Sequence, residues 1–160
     1  MANSLFIMRH GEASPGSPDS ARRLTPQGEQ EAITMASWLA SRQSRGQLGA
    51  LKVVASPFTR AQQTANTVAK ALGASVETYP SITPEDSPQA VCDWLVEQEG
   101  DILLVSHMPL VAALAGLLVE GRMDRGIGFP TAAIAELEAD VWAAGCARLT
   151  RFTEPRQVVG

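Results

Sequence analysis

Cysteine is nearly absent from this sequence. The two that occur, Cys92 and Cys146, cannot build a disulfide framework and have no metal-ligand spacing. Positive charge is also short: 13 Lys and Arg stand against 17 Asp and Glu, a formal net charge of −4. Phosphate-backbone affinity needs clustered positive charge, so this balance excludes a general nucleic-acid binder. Any anion the protein binds must be held by a few local cations working against the overall field. Aromatic residues contribute 5%, and Trp38 and Trp94 fall on helical patterns, where packing is expected rather than base stacking. The longest apolar run, Met108–Val119, contains Pro109 and is too short to span a bilayer, so no membrane association is expected. Met1–His10 has neither a basic n-region nor a long apolar stretch. It is not a signal-peptide pattern, and the cytoplasm is the expected compartment. The acids are scattered through loops and helices without ligand spacing, so neither a metal nor another cofactor is expected.

What the chain does have is 45% hydrophobic and 19% charged residues over 160 positions. That suits one compact domain, 1–160, with a sizeable core. Short apolar runs alternate with helical patterns. Leu5–Met8 reads as a buried strand ending at Arg9-His10-Gly11, followed by an exposed loop, Glu12–Arg23, rich in proline, glycine and serine. Thr25-Pro26 is a cap-then-proline helix start, and Ala32, Met35, Ala36, Leu39 and Ala40 share one face of the helix, which is expected to fray at Ser41–Gly49. Leu51–Ala55 is a second strand. The helix after it buries Ala61, Ala65, Val68, Ala69 and Leu72 and stops at Gly73. Ser75–Tyr79 reads as a peripheral strand, and Ser87-Pro88 opens a helix through Val91, Trp94 and Leu95. Ile102–Val105 reads as a buried strand, followed by a helix from about Pro109 to Leu118. Two late strands, Thr131–Glu138 and Ala147–Phe152, precede a tail from Glu154 that is expected to be loose. Strands alternating with helices predict an α/β fold with a largely parallel sheet covered on both faces. Ligands of such sheets sit beyond the carboxyl ends of the strands.

Three polar clusters follow three of the strands: Arg9-His10-Gly11-Glu12, Ser56-Pro57-Phe58-Thr59-Arg60-Ala61-Gln62-Gln63-Thr64, and Ser106-His107-Met108-Pro109. His10 and His107 are the only histidines, and both lie just past a strand. Either one alone could be an ordinary hydrogen-bonded histidine, and Arg9 and Arg60 could be surface ion-pairers. Together at three strand ends they make a site able to bind a dianion and attack it. Arginine grips phosphate oxygens with a planar fork. Gly11 would let the backbone approach a ligand, and helix-start amides could add donors. Histidine, with a reference pKa of ~6.5, is a nucleophile at neutrality without a metal or a separate base. Its attack on phosphorus would give a phosphohistidine that water hydrolyses.

These motifs resemble the histidine phosphatase superfamily, which includes phosphoglycerate mutases and acid phosphatases. Phe6-Ile7-Met8-Arg9-His10-Gly11, Ser56-Pro57-Phe58-Thr59-Arg60-Ala61 and Ser106-His107-Met108-Pro109-Leu110-Val111 are most similar to the compact SixA-type phosphohistidine phosphatases. The resemblance runs from about Leu5 to Ile134. It implies a three-layer α/β/α sandwich of the phosphoglycerate mutase-like kind and metal-free chemistry. By motif, His10 corresponds to the nucleophile, Arg9 and Arg60 to the phosphate-binding arginines, and His107 to the second histidine, which helps hold the transferring phosphoryl group. Gly11 and Met108 join them as expected lining of the phosphate site.

Many relatives also carry a carboxylic acid that protonates a leaving alkoxide. Glu12, Asp19, Glu85 and Asp86 are the candidates for that acid or for the rim, with Arg22 a further rim candidate, and none sits in a matching pattern. An alkoxide needs a proton as it departs, whereas a phosphorylated imidazole protonated on its other nitrogen leaves as a neutral ring. The expected function is therefore dephosphorylation of a phosphohistidine-bearing protein, such as a histidine-containing phosphotransfer domain, by a monomeric enzyme. A phosphatase for small phosphomonoesters is the alternative within the superfamily. An inactive phosphoprotein-binding module is the third reading; it would form no phosphoenzyme.

Overall fold

The structure is a computed structural model that describes residues 2–158. Met1, the first residue of the expected domain, and 159–160, the end of the expected loose tail, lie outside the described residues. Six strands are described: β1 (Asn3–Arg9), β2 (Lys52–Ala55), β3 (Val76–Thr78), β4 (Ile102–Ser106), β5 (Ile134–Ala139) and β6 (Arg148–Thr153). They form one sheet in the order β3-β2-β4-β1-β5-β6. The β3-β2, β2-β4 and β4-β1 pairs are parallel, whereas β5 runs antiparallel to both β1 and β6. The helices are α1 (Pro26–Ser44), α2 (Thr59–Leu72), α3 (Pro88–Val96), α4 (Leu110–Glu120) and the short α5 (Pro155–Val158).

Alternation along β1 divides the core in two. Leu5 and Ile7 face α3 and α4, joining Leu104, Val91, Leu95, Leu110 and Leu114. Phe6 and Met8 face the opposite layer, joining Leu103, Val105, Met35, Leu39 and Val68 from β4, α1 and α2. The result is the three-layer α/β/α sandwich. Cys92 is buried within the α3–α4 layer, and burial pushes its thiol up to about 11, so it behaves as an inert apolar residue.

Capping follows the sequence signals. The Thr25 hydroxyl accepts from the Gly28 N–H, and the Ser87 hydroxyl accepts from the Ala90 N–H. Gly73 ends α2 in the left-handed conformation, at φ 67°.

Three local expectations are corrected. The first helix continues through Ser44 rather than fraying at Ser41. Buried Arg42, in its last turn, binds Glu136 of β5 through both oxygens, at 2.7 and 2.9 Å, and stacks over Trp38. The strand expected from Thr131 begins at Ile134, because 131–133 turns inward, with Ala132 at φ 61°. The tail is not loose over its described part: Pro155–Val158 is helical, Val158 packs against the α1–α2 core, and Glu154 pairs with Arg156 at 2.6 Å.

Candidate active site

The sheet brings the three polar clusters to the carboxyl ends of its interior strands. Arg9 is in register with Ser106, and Ala55 with Val105, so β1, β4 and β2 end side by side. Their ladders run one residue further: the His10 N–H donates to the Ser106 carbonyl and the Ser56 N–H to the Val105 carbonyl, both at 3.0 Å. His10, His107 and Ser56 therefore start from adjacent strand ends. The two imidazoles stand 5.1 Å apart, centre to centre.

His10 is 7% exposed. Its Nδ1 lies 2.6 Å from the Gly11 carbonyl, and its Nε2 lies 3.2 Å from Nε of Arg60. A carbonyl can only accept and a guanidinium N–H can only donate. The proton therefore sits on Nδ1, and Nε2 keeps its lone pair. Burial pushes this ring down to about 4, the Gly11 carbonyl opposes that, and Arg60, Arg9 and Arg22 add to it. Burial likewise pushes His107 down to about 3, with His10, Arg60 and Arg9 adding to the effect and Asp19 opposing it. Both rings are neutral at pH 7, so lone pairs stand among cations.

Arg9 is aimed by its Nη1, which donates to the Phe129 carbonyl at 2.7 Å, and its buried Nε has no protein partner. Arg60, 4% exposed, lies over the ring of Phe58, which also stands edge-on to His107. Its Nη1 and Nη2 donate to the backbone carbonyl and the carboxylate of Asp19, at 2.7 and 3.2 Å. Both terminal nitrogens of the Arg60 fork are thus engaged. The outer edge is tethered to the 3-10 turn Asp19–Ala21, and the Nε–H faces His10.

The remaining expected residues divide. Asp19 belongs to the cluster, because Arg22 also binds it at 2.9 Å. Hydrogen bonding from Arg22, then from Arg60, holds its carboxyl below the usual range, so it is an ionised tether rather than a proton donor. Arg22 donates to the Asp19 carboxylate and to the Ser14 carbonyl, and its charge acts on His10 from there. The Glu12 carboxylate accepts from the Thr25 hydroxyl. The Asp86 carboxylate accepts from the N–H and hydroxyl of Thr83, and Glu85 is exposed beside it. Glu12, Glu85 and Asp86 thus hold or flank local turns and are not gathered at the arginines. Met108 packs half-buried against the α3–α4 core.

Gly11 has a packing reason of its own. A Cβ there would stand 2.5 Å from the Gly28 carbonyl oxygen, and one on Gly28 would overlap the Glu12 carbonyl oxygen. The close approach lies between the loop after β1 and the start of α1. The Gly11 N–H already donates to the Thr64 hydroxyl.

Among the described residues, no three His, Cys, Asp or Glu side chains are grouped to hold a metal ion. Two neutral histidines and two arginines thus meet at the strand ends, with an unprotonated Nε2 of His10 accepting from Arg60, an arrangement chemically able to hold an oxyanion beside a nucleophilic nitrogen.

The family profile of the histidine phosphatase superfamily (branch 1) matches residues 5–83. The phosphohistidine phosphatase SixA of Escherichia coli is 38% identical over 144 residues, covering 85% of each chain. A SixA homolog of Haemophilus influenzae is 35% identical over 144 residues, covering 84% of this chain and 87% of that one. This chain belongs to the histidine phosphatase superfamily. Within it, the chain is of the SixA type. The structure of the protein histidine phosphatase SixA complexed with tungstate superposes with a TM-score of 0.84 at 33% identity, covering 96% of this chain and 98% of that one. The phosphoglycerate mutase-like sandwich expected from the motifs is thus the fold of this superfamily member.

Several residues that build the site carried no assigned role in the sequence. Ser56, Phe58 and Thr64 lie inside the second motif, and that membership was the available signal. Glu31 had none. It looks like any exposed helical acid, yet it accepts from the Glu12 N–H at 2.8 Å and the Thr131 hydroxyl at 3.0 Å. It thereby joins the loop after β1 to the turn before β5. The Phe129 carbonyl had no sequence signal either.

Proposed function

We propose that this protein is a metal-free phosphohistidine phosphatase with His10 as nucleophile, acting on a histidine-phosphorylated protein such as a phosphotransfer domain. The observation that carries the reading is the state of the site's groups: an unprotonated Nε2 on His10 that accepts from Arg60 and stands among arginines, with Asp19 ionised and tied to Arg60. Nε2 of His10 attacks phosphorus, the P–N bond to the substrate ring breaks, and that ring leaves neutral when its other nitrogen carries a proton. Water then cleaves the new P–N bond on His10, releasing inorganic phosphate and restoring the free ring. Arg9, Arg60 and His107 bear the charge on the phosphoryl oxygens as the group moves, so positioning and electrostatics supply most of the acceleration. The relatives named for phosphohistidine support this substrate class, and we take the enzyme to act as a cytoplasmic monomer.

Turnover of a phosphorylated histidine domain, set against a panel of phosphate esters, tests the reading. Phosphohistidine is the expected preferred substrate, and exhaustive chelation should leave the rate unchanged. Preference for an ester, or a rate restored only by added divalent ions, would reject it.

The depressed histidines make a further expectation. In an NMR titration of the two rings, His10 should take up its proton near pH 4, far below the ordinary ~6.5. Protonation removes the Nε2 lone pair, so phosphoenzyme formation should be flat through neutrality and fall only as pH drops through about 4. A His10 titration near 6.5 would mean that the resting ring is not desolvated by its pocket.

A further inference from the structure

Ser56 ends β2 fully buried, at 0% exposure. Its hydroxyl oxygen lies 2.7 Å from Nε2 of His107 and accepts from the Phe58 N–H at 3.2 Å. A serine hydroxyl has one proton to give, and Nε2 of His107 is the acceptor placed to receive it. Suppose instead that His107 donated from Nε2. The Ser56 proton would then be buried without an acceptor, which costs the full desolvation of that group. The other ring nitrogen points the same way. Nδ1 of His107 is buried and has no protein partner, on a residue only 1% exposed. An unprotonated Nδ1 would turn a lone pair toward the oxygens of an incoming phosphoryl group; a protonated one is a donor that awaits them.

We infer that Ser56 fixes His107 as its Nδ1–H tautomer, making it a neutral hydrogen-bond donor to the phosphoryl oxygens. Ser56 is thus a positioning residue: it acts through His107. The donor role rests on the phosphatase reading above. The tautomer does not, because it is a property of the free protein and is read without any substrate.

Two histidines in the whole chain make the test direct. In ¹⁵N-labelled protein at pH 7, long-range proton–nitrogen correlation spectra distinguish the protonated nitrogen of each ring, and His107→Asn assigns the signals. His107 is expected to be protonated on Nδ1 in the native protein and to move toward Nε2 protonation in Ser56→Ala. Inorganic phosphate should then bind Ser56→Ala roughly 10-fold more weakly, as expected for loss of one hydrogen bond to a charged group. Ser56→Cys, of similar volume but a weak donor, gives the same comparison should the alanine variant not fold. A native His107 protonated on Nε2 overturns the inference. So does a tautomer unchanged by loss of the hydroxyl, or undiminished phosphate affinity in a variant whose tautomer has shifted. None of these outcomes bears on whether phosphohistidine or an ester is the preferred substrate, which the turnover comparison decides separately.

Discussion

Replacing His10 with alanine should abolish both turnover and the trapping of a phosphoenzyme while leaving the protein folded. Among the described residues, the ring is the only group at the three strand ends that offers an unprotonated nucleophile: His107 keeps no free lone pair toward the phosphoryl group if its Nδ1 is protonated, and the arginines have none. Without His10 the covalent route is closed, and removal of an enzyme's nucleophile typically costs on the order of 10⁴-fold or more. The fold should tolerate the loss. The His10 side chain hydrogen-bonds the neighbouring Gly11 carbonyl and Arg60, and the pairing of β1 with β4 and β5 runs through the backbone, so its removal leaves the frame of the sheet in place. Rapid-quench trapping with labelled phosphohistidine and a thermal melt check the two halves. A folded His10→Ala protein with near-native turnover would overturn the mechanism.

Arg60→Lys should also be costly. Its guanidinium is held by contacts of three kinds: the outer edge on Asp19, the plane over Phe58, and the Nε–H at His10. A lysine ammonium can supply the charge but not three directions at once. Loss of one charge-assisted contact to the transferring group is worth about 2–4 kcal/mol in the transition state, or ~30- to 1000-fold in rate. Steady-state turnover of phosphohistidine should therefore fall by that factor in Arg60→Lys. Glu12→Gln, Glu85→Gln and Asp86→Asn should cost far less, since these carboxylates serve or flank turns. Asp19→Asn should lie between, because it loosens the tether of Arg60, although an ion pair whose acid is 56% exposed contributes little by itself. If any of the four carboxylates mattered as much as Arg60 with phosphohistidine, the leaving group would need protonation. The chemical basis for a P–N over a P–O bond would then be gone.

The buried strands Leu5–Met8, Leu51–Ala55 and Ile102–Val105 were legible because a sheet covered on both faces demands unbroken apolar runs. The starts of α1 and α3 were legible because Thr25-Pro26 and Ser87-Pro88 carry their capping chemistry in adjacent residues. His10, Arg9, Arg60 and His107 could be singled out because each follows one of those strands closely. Local pattern thus sufficed for the layers, the strand ends and the four side chains that gather there.

What faces what was not legible. Glu31 lies 19 residues from the N–H of Glu12 that it receives and 100 from Thr131. Phe129 is 120 residues from the Arg9 it aims, and Asp19 is 41 from Arg60. The same holds for the Arg42–Glu136 pair, 94 residues apart, which carries α1 past the point where its own sequence weakens. These contacts depend on the register of the sheet and on the seating of α1 across the loop after β1. A chain's local composition holds no record of either. Sequence alone therefore determined which polar side chains meet at the strand ends. Only the tertiary structure decided that Gly11 is a packing glycine, that Arg60 is tethered by its outer edge, that Asp19 is an ionised tether, and that the lone pair of His10 is on Nε2. Each of those is set by the partner across the fold, and a hydrogen bond or a desolvated charge takes its state from that partner rather than from its neighbours in the chain.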